Sequence, residues 1–237
     1  MDSWKDAWVI FYKDLRSDRL FLIWNVIFML YISLFLGFMV RSSAETGFVL
    51  NPMADFLMLS MIPFTGFFFS RRSFSYLKED SYTQMLRYYR TLPIPLKTIM
   101  RSRLIQLGAM MLFNGIIFYV VFYAIGLRRE LDLGGFIAFA LTWTGYGLFI
   151  NGAFIYYELL KKGKVYLWMS LVLMAVFGFT AYAIDWFGGN LMSFTMDYSG
   201  RYVLLSPLMW GALVGGVLGL SLFGAMTRRK LAMRDLA

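Results

Sequence analysis

The most constraining feature of the chain is a series of six long apolar segments. A helix needs about 20 apolar residues to cross a membrane, because it rises about 1.5 Å per residue against a hydrocarbon core of about 30 Å. Segments of roughly this length lie at residues 20–40, 53–70, 104–127, 133–160, 165–184 and 202–226. The series predicts an all-α membrane protein with six transmembrane helices, in one domain that covers residues 1–237.

Composition excludes several kinds of enzyme site. Of the 237 residues, 59% are hydrophobic and 16% are charged, whereas about 25% are charged in average soluble domains. The chain has no histidine and no cysteine, which excludes disulfides, thiol nucleophiles, imidazole bases and nearly every zinc site. Its 14 acidic residues are scattered, and the pair Gly163 and Lys164 lacks the upstream glycine of a Walker A loop. We therefore expect no catalytic residue, no metal site and no cofactor in this chain.

Lysine and arginine are distributed unequally between the two sides of the predicted bundle. Nineteen of the 23 lie on one side, in residues 1–19, the loop 71–103, the connection 161–164 and the tail 227–237. The other side has four, which are Arg41, Arg128, Arg129 and Arg201. Cytoplasmic loops carry the excess of positive charge in membrane proteins, so we expect both termini in the cytoplasm. The net charge of +9 is therefore explained by a lipid bilayer and not by nucleic acid.

The N-terminal residues 1–19 have the pattern of an amphipathic helix. One helical face gathers apolar and aromatic side chains, which are Trp4, Trp8, Phe11, Tyr12 and Leu15. Lysine, arginine and aspartate occupy the rest of the circumference. This pattern predicts a helix that lies in the membrane interface, and the alternative is an ordinary frayed terminus.

The loop 71–103 is the longest segment outside the predicted spans, and it contains a second amphipathic helix. Ser81 and Gln84 have the spacing of a capping box, preceded by Asp80. An apolar stripe follows at helical spacing, formed by Tyr82, Met85, Leu86 and Tyr89. The other face carries Thr83, Gln84, Arg87 and Arg90, and Pro93 and Pro95 end the helix. Such a helix is expected either to lie on lipid or to dock against a partner.

The predicted spans contain small and neutral polar residues. Gly211, Gly215 and Gly219 recur at spacing four, which permits close helix packing, either within the chain or against another subunit. Asn25, Asn114 and other amides are expected to form hydrogen bonds between helices. The acidic residues lie near predicted helix ends and not at the midplane, so an ion-coupled energy source in this chain is not expected.

One stretch of the loop carries a resemblance to a known family. Residues 71–80 read Arg-Arg-Ser-Phe-Ser-Tyr-Leu-Lys-Glu-Asp, and residues 86–95 read Leu-Arg-Tyr-Tyr-Arg-Thr-Leu-Pro-Ile-Pro. This acidic and then helical stretch, ending in Leu-Pro-Ile before the third span, resembles the permease subunits of ATP-binding-cassette (ABC) transporters of the type-2 exporter class. The arrangement of spans and termini extends the resemblance over the whole chain.

The resemblance implies a working assembly. The N-terminal helix would be an elbow at the membrane surface, and residues 81–90 would be a coupling helix in a cleft of a separate cytoplasmic ATPase, which binds ATP and Mg²⁺. Its contact residues would be Ser81, Tyr82, Gln84, Met85, Leu86, Arg87, Tyr89 and Arg90. A second permease copy or a paralogue would complete the substrate path in a bacterial plasma membrane. The family usually has a re-entrant helical element between the last two spans, and here residues 187–201 leave little room for it.

Two other functions fit the same sequence features. A membrane-embedded enzyme acting on lipid would need acidic residues that cluster only in the folded chain. A scaffold or immunity subunit would use the same fold without transport.

Overall fold

The computed structural model describes residues 3–46, 51–92 and 94–234, except for the side chains of residues 3, 43–46 and 90. The predicted roles of Arg90 as a contact residue and of Pro93 as a helix stop lie outside the described atoms. All regular elements in the described ranges are helical. The α-helices are α1 (Ser3–Ser17), α2 (Leu22–Thr46), α3 (Met53–Met61), α4 (Arg71–Glu79), α5 (Ser81–Thr91), α6 (Leu96–Phe122), α7 (Leu133–Leu160), α8 (Gly163–Trp186), α9 (Leu191–Tyr202) and α10 (Pro207–Met233).

Five of the helical segments in the described ranges are long and apolar enough to cross a membrane. They are Arg19–Ser42, Leu96–Leu127, Leu133–Leu160, Gly163–Trp186 and Pro207–Met233. A sixth crossing results if the bent pair Met53–Gly66 and Arg71–Glu79 forms one span. The chain is therefore an all-α, multi-pass membrane protein.

Two predicted boundaries differ from the observed ones. The third span was expected to begin at residue 104, but α6 begins at Leu96, directly after Pro95, because nothing between these positions breaks a helix. The last span was expected to begin at residue 202, but α10 begins at Pro207. The residues before it end α9 and form a 3₁₀ turn, Val203–Leu205.

The second predicted span is broken. Helix α3 ends at Met61 and continues as a 3₁₀ segment, Ile62–Gly66, and residues 67–70 are not helical. Helix α4 then leaves at an angle of 104° to the preceding segment. Pro63 lies at the start of the 3₁₀ segment, where its missing N–H prevents a continuous α-helical ladder. The expectation of one helix over residues 53–70 is therefore wrong.

The regions rich in lysine and arginine meet at one end of the bundle, which we call the basic end. Helix α1 lies along the first part of α6, and α4 and α5 pack beside the ends of α7 and α8. At the opposite end, α9 packs against α7 and α3. There the buried carboxylate of Asp55 accepts hydrogen bonds from the N–H groups of Leu191 (2.7 Å) and Met192 (2.8 Å), which satisfies the first turn of α9. The short segment before the last span thus forms a helix of 12 residues.

Among the described helices, α7 and α10 have the most extensive contact with each other, and glycines allow their close approach. A Cβ atom on Gly216 would collide with the backbone of Gly145, and one on Gly219 would collide with the ring of Phe149. Gly211 and Gly215 face open space instead. The predicted packing stripe is therefore only partly correct: Gly219 packs within the chain and its two companions do not, because the contact face is rotated toward Gly216.

Candidate functional site

Helix α5 buries its apolar stripe inside the chain. Tyr82, Met85, Leu86 and Tyr89 are each at most 7% exposed. Three of them share a hydrophobic cluster with residues of α6, α7 and α10, namely Ile99, Met100, Leu107, Met111, Ile155, Leu159 and Leu231. The expectation that this stripe contacts a partner is therefore corrected, because the stripe is covered by the ends of the spans.

The capping box at the start of α5 does not form. Asp80 is the N-cap, in the left-handed region (φ 46°), which Asp tolerates better than most residues. Its carboxylate accepts a hydrogen bond from the N–H of Gly163 (2.8 Å) at the first residue of α8. The Ser81 hydroxyl donates to the carbonyl of Arg72 (2.8 Å), and the Gln84 amide donates to the carbonyl of Glu79 (2.6 Å). These bonds join α5 to α4 and α8 and do not cap α5 itself.

A buried carboxylate of α1 joins the two helices of the loop. Asp14 accepts two hydrogen bonds from the Arg72 guanidinium of α4 (2.9 and 3.0 Å), and one from the Tyr89 hydroxyl of α5 (3.3 Å). Asp14 is 7% exposed and the Arg72 side chain is 27% exposed, so the carboxylate is shielded from water and the guanidinium only in part. Arg72 also approaches the sulfur of Met85 (3.1 Å). The Asp14 carboxylate therefore links α1 to α4 through an ion pair and to α5 through a hydrogen bond.

The end of α10 is joined to α5 and α7. Arg234 donates to the Thr83 hydroxyl (2.9 Å) of α5 and to the carbonyl of Leu159 (2.5 Å) at the end of α7. Lys230 donates to the Tyr156 hydroxyl of α7 (2.6 Å). Thr83, which was expected on the outer face of the helix, is therefore buried by this contact and is 6% exposed.

Beneath α5, an ion pair joins the third and fourth spans. Arg103 of α6 donates to the carboxylate of Glu158 of α7 and to the Gln106 side chain (2.7 Å). The side chains of Arg103 and Glu158 are 10% and 16% exposed. They line a cavity of about 40 Å³, together with Tyr82 of α5 and Tyr166 of α8. This volume is enough for a few water molecules at most.

Sequence reasoning missed this pair, although a signal was present. Consecutive helices of a bundle are antiparallel, so the start of the third span and the end of the fourth lie at the same depth. Arg103 directly precedes the predicted third span, and Glu158 lies two residues before the end of the fourth. Opposite charges at matched depth predict a contact, but each residue was considered only as a neighbour of a helix end.

Burial also affects the tyrosines of α5. Desolvation raises the pKa of the Tyr82 hydroxyl well above its usual value, and the nearby Glu158 carboxylate adds to this effect. Desolvation and then the charge of Asp14 raise the pKa of Tyr89. Both hydroxyls therefore stay neutral over the physiological pH range and serve as hydrogen-bonding groups.

Asparagine side chains from three spans form hydrogen bonds with the backbone of the broken second span. Asn25 of α2 donates to the carbonyl of Phe67 (2.8 Å) and accepts from the N–H of Phe69 (3.0 Å). Asn114 of α6 donates to the carbonyls of Thr65 (3.0 Å) and Phe67 (2.9 Å). The third, Asn151 of α7, donates to the carbonyl of Pro63 (2.9 Å). Non-helical backbone at membrane depth requires such partners, so these amides hold the break in place.

The outer surface of the basic end is formed by the remaining faces of α1, α4 and α5. Gln84, Arg87 and Tyr88 of α5 are exposed. A groove of about 320 Å³ runs between the three helices, lined by Lys13, Arg71, Arg72, Ser75, Glu79, Ser81, Gln84, Met85, Tyr88 and Tyr89. This groove gathers charged and aromatic groups beside the exposed face of α5.

The predicted apolar face of α1 divides into two parts. Trp4, Trp8 and Tyr12 are more than half exposed, at 52%, 55% and 63%. Phe11 is buried, and Leu15 is half-buried. Phe11 therefore helps to fix α1 against the bundle, while Trp4, Trp8 and Tyr12 form an exposed aromatic ridge, of which Trp4 also stacks on Arg101 of α6.

We compared the chain with protein-family models, with curated proteins and with solved structures, and none of the three comparisons gave a match. Functional conclusions therefore depend on the geometry of the site and on the sequence resemblance.

Proposed function

We propose that this chain is the membrane permease subunit of an ABC exporter, driven by a separate cytoplasmic ATPase subunit. The observation that carries the proposal is the convergence of the spans on α5. Side chains of α5 and its N-cap contact α4, α8 and α10 through Ser81, Asp80 and Thr83. Tyr89 contacts α1, and the apolar stripe contacts α6 and α7.

Such an arrangement suits the transmission of force. A helix that touches the ends of several spans through buried ionic and polar contacts moves those spans when it is displaced, because packed interiors respond to strain as units. In this proposal the ATPase contacts the exposed residues Gln84, Arg87 and Tyr88 and the adjoining groove. The buried stripe, with Tyr82, Met85, Leu86 and Tyr89, then acts inside the permease and transmits the movement to the spans.

Other features agree with the same proposal. The exposed ridge Trp4, Trp8 and Tyr12 is amphipathic and aromatic, as expected of an elbow helix in the membrane interface. Residues 53–70 would form the sixth crossing, so that both termini lie in the cytoplasm. The substrate path would lie between two permeases, which are either identical or paralogous.

The proposal is tested by co-purification with a cassette ATPase encoded near this chain, followed by measurement of ATP hydrolysis. We expect a stable complex with the wild-type chain. Arg87→Glu combined with Tyr88→Ala should reduce recovery of the ATPase at least tenfold, since exposed arginine and tyrosine are frequent binding hot spots. The unfolding midpoint of the isolated permease should change much less than ATPase recovery, because both positions are exposed.

Lys162→Glu provides the matched control, since Lys162 is also an exposed cation at the basic end but lies outside α5. This variant should keep its ATPase. If the chain purifies without any ATPase, or if the α5 variant and the control variant behave alike, the proposal fails. Catalytic activity on lipid by the isolated chain would support the enzyme alternative instead.

A further inference from the structure

A second groove at the basic end lies between α1, α6 and α10. It has a volume of about 320 Å³ and is lined by Trp4, Lys97, Met100, Arg101, Leu104, Leu220, Ser221, Gly224 and Arg228. Three of these residues are cations, and none is acidic. The other residues are mainly apolar, so the groove combines a positively charged part with a hydrophobic part.

The positive charge of this groove is not neutralised within the described part of the chain. No carboxylate pairs with Lys97, Arg101 or Arg228 there. Arg101 stacks on the ring of Trp4, with its guanidinium carbon 4.6 Å from the ring centre. This stacking orients the guanidinium and leaves its N–H donors available to a ligand.

The start of α6 adds to the positive electrostatic potential of the groove. The helix has no acidic residue in its first turn and no side-chain cap, and its first turns carry Lys97 and Arg101. Cations at a helix N-terminus are unfavourable, because the helix dipole is already positive there. An anion in the groove would remove this repulsion and would interact with three cations at once.

The depth of the groove identifies the anion. Arg101 lies five residues after the start of α6, and Arg228 lies five residues before the end of α10, so each cation is at the basic end of its helix. Both cations are therefore at the level of lipid headgroups, and Leu104 and Leu220 continue toward the hydrocarbon. Trp4 belongs to the exposed aromatic ridge of α1, and tryptophan concentrates at this level of a membrane.

We propose that this groove binds one anionic phospholipid of the leaflet at the basic end. Its phosphate would interact with Lys97, Arg101 and Arg228, and its acyl chains would follow the apolar residues of α6 and α10. Basic pockets between spanning helices on the cytoplasmic side are suited to such headgroups. The occupant would also fix α1 to the bundle, because Trp4 and Arg101 belong to different helices.

Native mass spectrometry of the delipidated protein in neutral detergent tests this proposal. We expect one phosphatidylglycerol molecule to bind at concentrations where phosphatidylcholine does not. The triple variant Lys97→Gln, Arg101→Gln, Arg228→Gln should bind it on the order of 100-fold more weakly, from about fivefold per cation. Arg228→Gln alone should weaken phosphatidylglycerol binding about fivefold. This single variant supplies the test if the triple variant does not fold.

The matched control is Lys161→Gln, Lys162→Gln, Lys164→Gln, which removes three cations from the same end of the bundle but outside the groove. This variant should bind phosphatidylglycerol like the wild type. Equal weakening by both triple variants would overturn the proposal in favour of a general electrostatic field. Equal binding of phosphatidylcholine would overturn it too. Displacement by inorganic phosphate at the same concentration would indicate a site for a soluble anion and not for a lipid.

Discussion

At the scale of single residues, Arg103 and Glu158 have unusual surroundings for charged groups. Each side chain is largely buried, and the Arg103 Nε atom has no hydrogen-bond partner among the described atoms. The attraction within such a pair must offset the desolvation of two charges. Buried ionisable residues at the edge of a membrane are therefore expected to serve a purpose beyond stability. Because they line one cavity with Tyr82, they lie where the proposed displacement of α5 would act on the spans.

Removing one charge of this pair should destabilise the protein strongly. Glu158→Gln leaves the Arg103 charge buried without a counter-charge, which costs about 3–5 kcal/mol. We expect the unfolding midpoint in detergent to fall by about 10 °C for a chain of this size. Intrinsic tryptophan fluorescence during heating measures this change.

The double variant Arg103→Met, Glu158→Leu separates charge imbalance from packing. It removes both charges and keeps similar volume, so its midpoint should recover most of the loss. Glu130→Gln is the control, because Glu130 is exposed, and it should have no effect. A double variant as unstable as Glu158→Gln would show that the pair is not held by charge balance.

At the scale of elements, the contact between α7 and α10 depends on which glycines face each other. Gly216 lies against the backbone of Gly145, and its neighbour Gly215 faces open space. The two residues are adjacent in one helix, so they have the same helical propensity. Substitution of each by alanine therefore isolates the contribution of the helix contact.

Gly216→Ala should destabilise the chain, because its new methyl group meets backbone that cannot move aside as a flexible side chain would. Overpacking of this kind costs about 1–3 kcal/mol. Gly215→Ala should be neutral or stabilising by about 0.5–1 kcal/mol, since alanine favours a helix over glycine. The unfolding midpoints of the two variants measure the difference. A lower midpoint for Gly215→Ala would contradict this expectation and would indicate that another helix packs on the open face.

The elements also differ in how far their sequence determines them. Five spans and α1 follow from apolar length and periodicity, because these depend on local residues. The break in the second span also had a local signal in Pro63. Its partners Asn25, Asn114 and Asn151 come from three other helices, so no local pattern reveals them. The burial of the α5 stripe was missed for the same reason, since an amphipathic helix gives no indication of what covers it.

At the scale of the whole molecule, the topology depends on whether the broken segment 53–70 crosses the membrane. The fold places α1 and the start of α8 at the same end, through the contacts Asp14–Arg72 and Asp80–Gly163. If residues 53–70 cross, residue 17 and residue 162 lie on the same side of the membrane. If they do not cross, these two positions lie on opposite sides.

Cysteine labelling tests the crossing directly, because the natural chain has no cysteine to give a background. We expect Ser17→Cys and Lys162→Cys to react with a membrane-impermeant maleimide only when the cytoplasmic side is accessible, as in inverted vesicles. Glu130→Cys and Asp197→Cys should react in intact cells. All four positions are exposed, so a lack of reaction reports the side of the membrane and not burial. Reaction of Ser17→Cys and Lys162→Cys from opposite sides would show five crossings. The proposal that both termini lie in the cytoplasm would then be wrong.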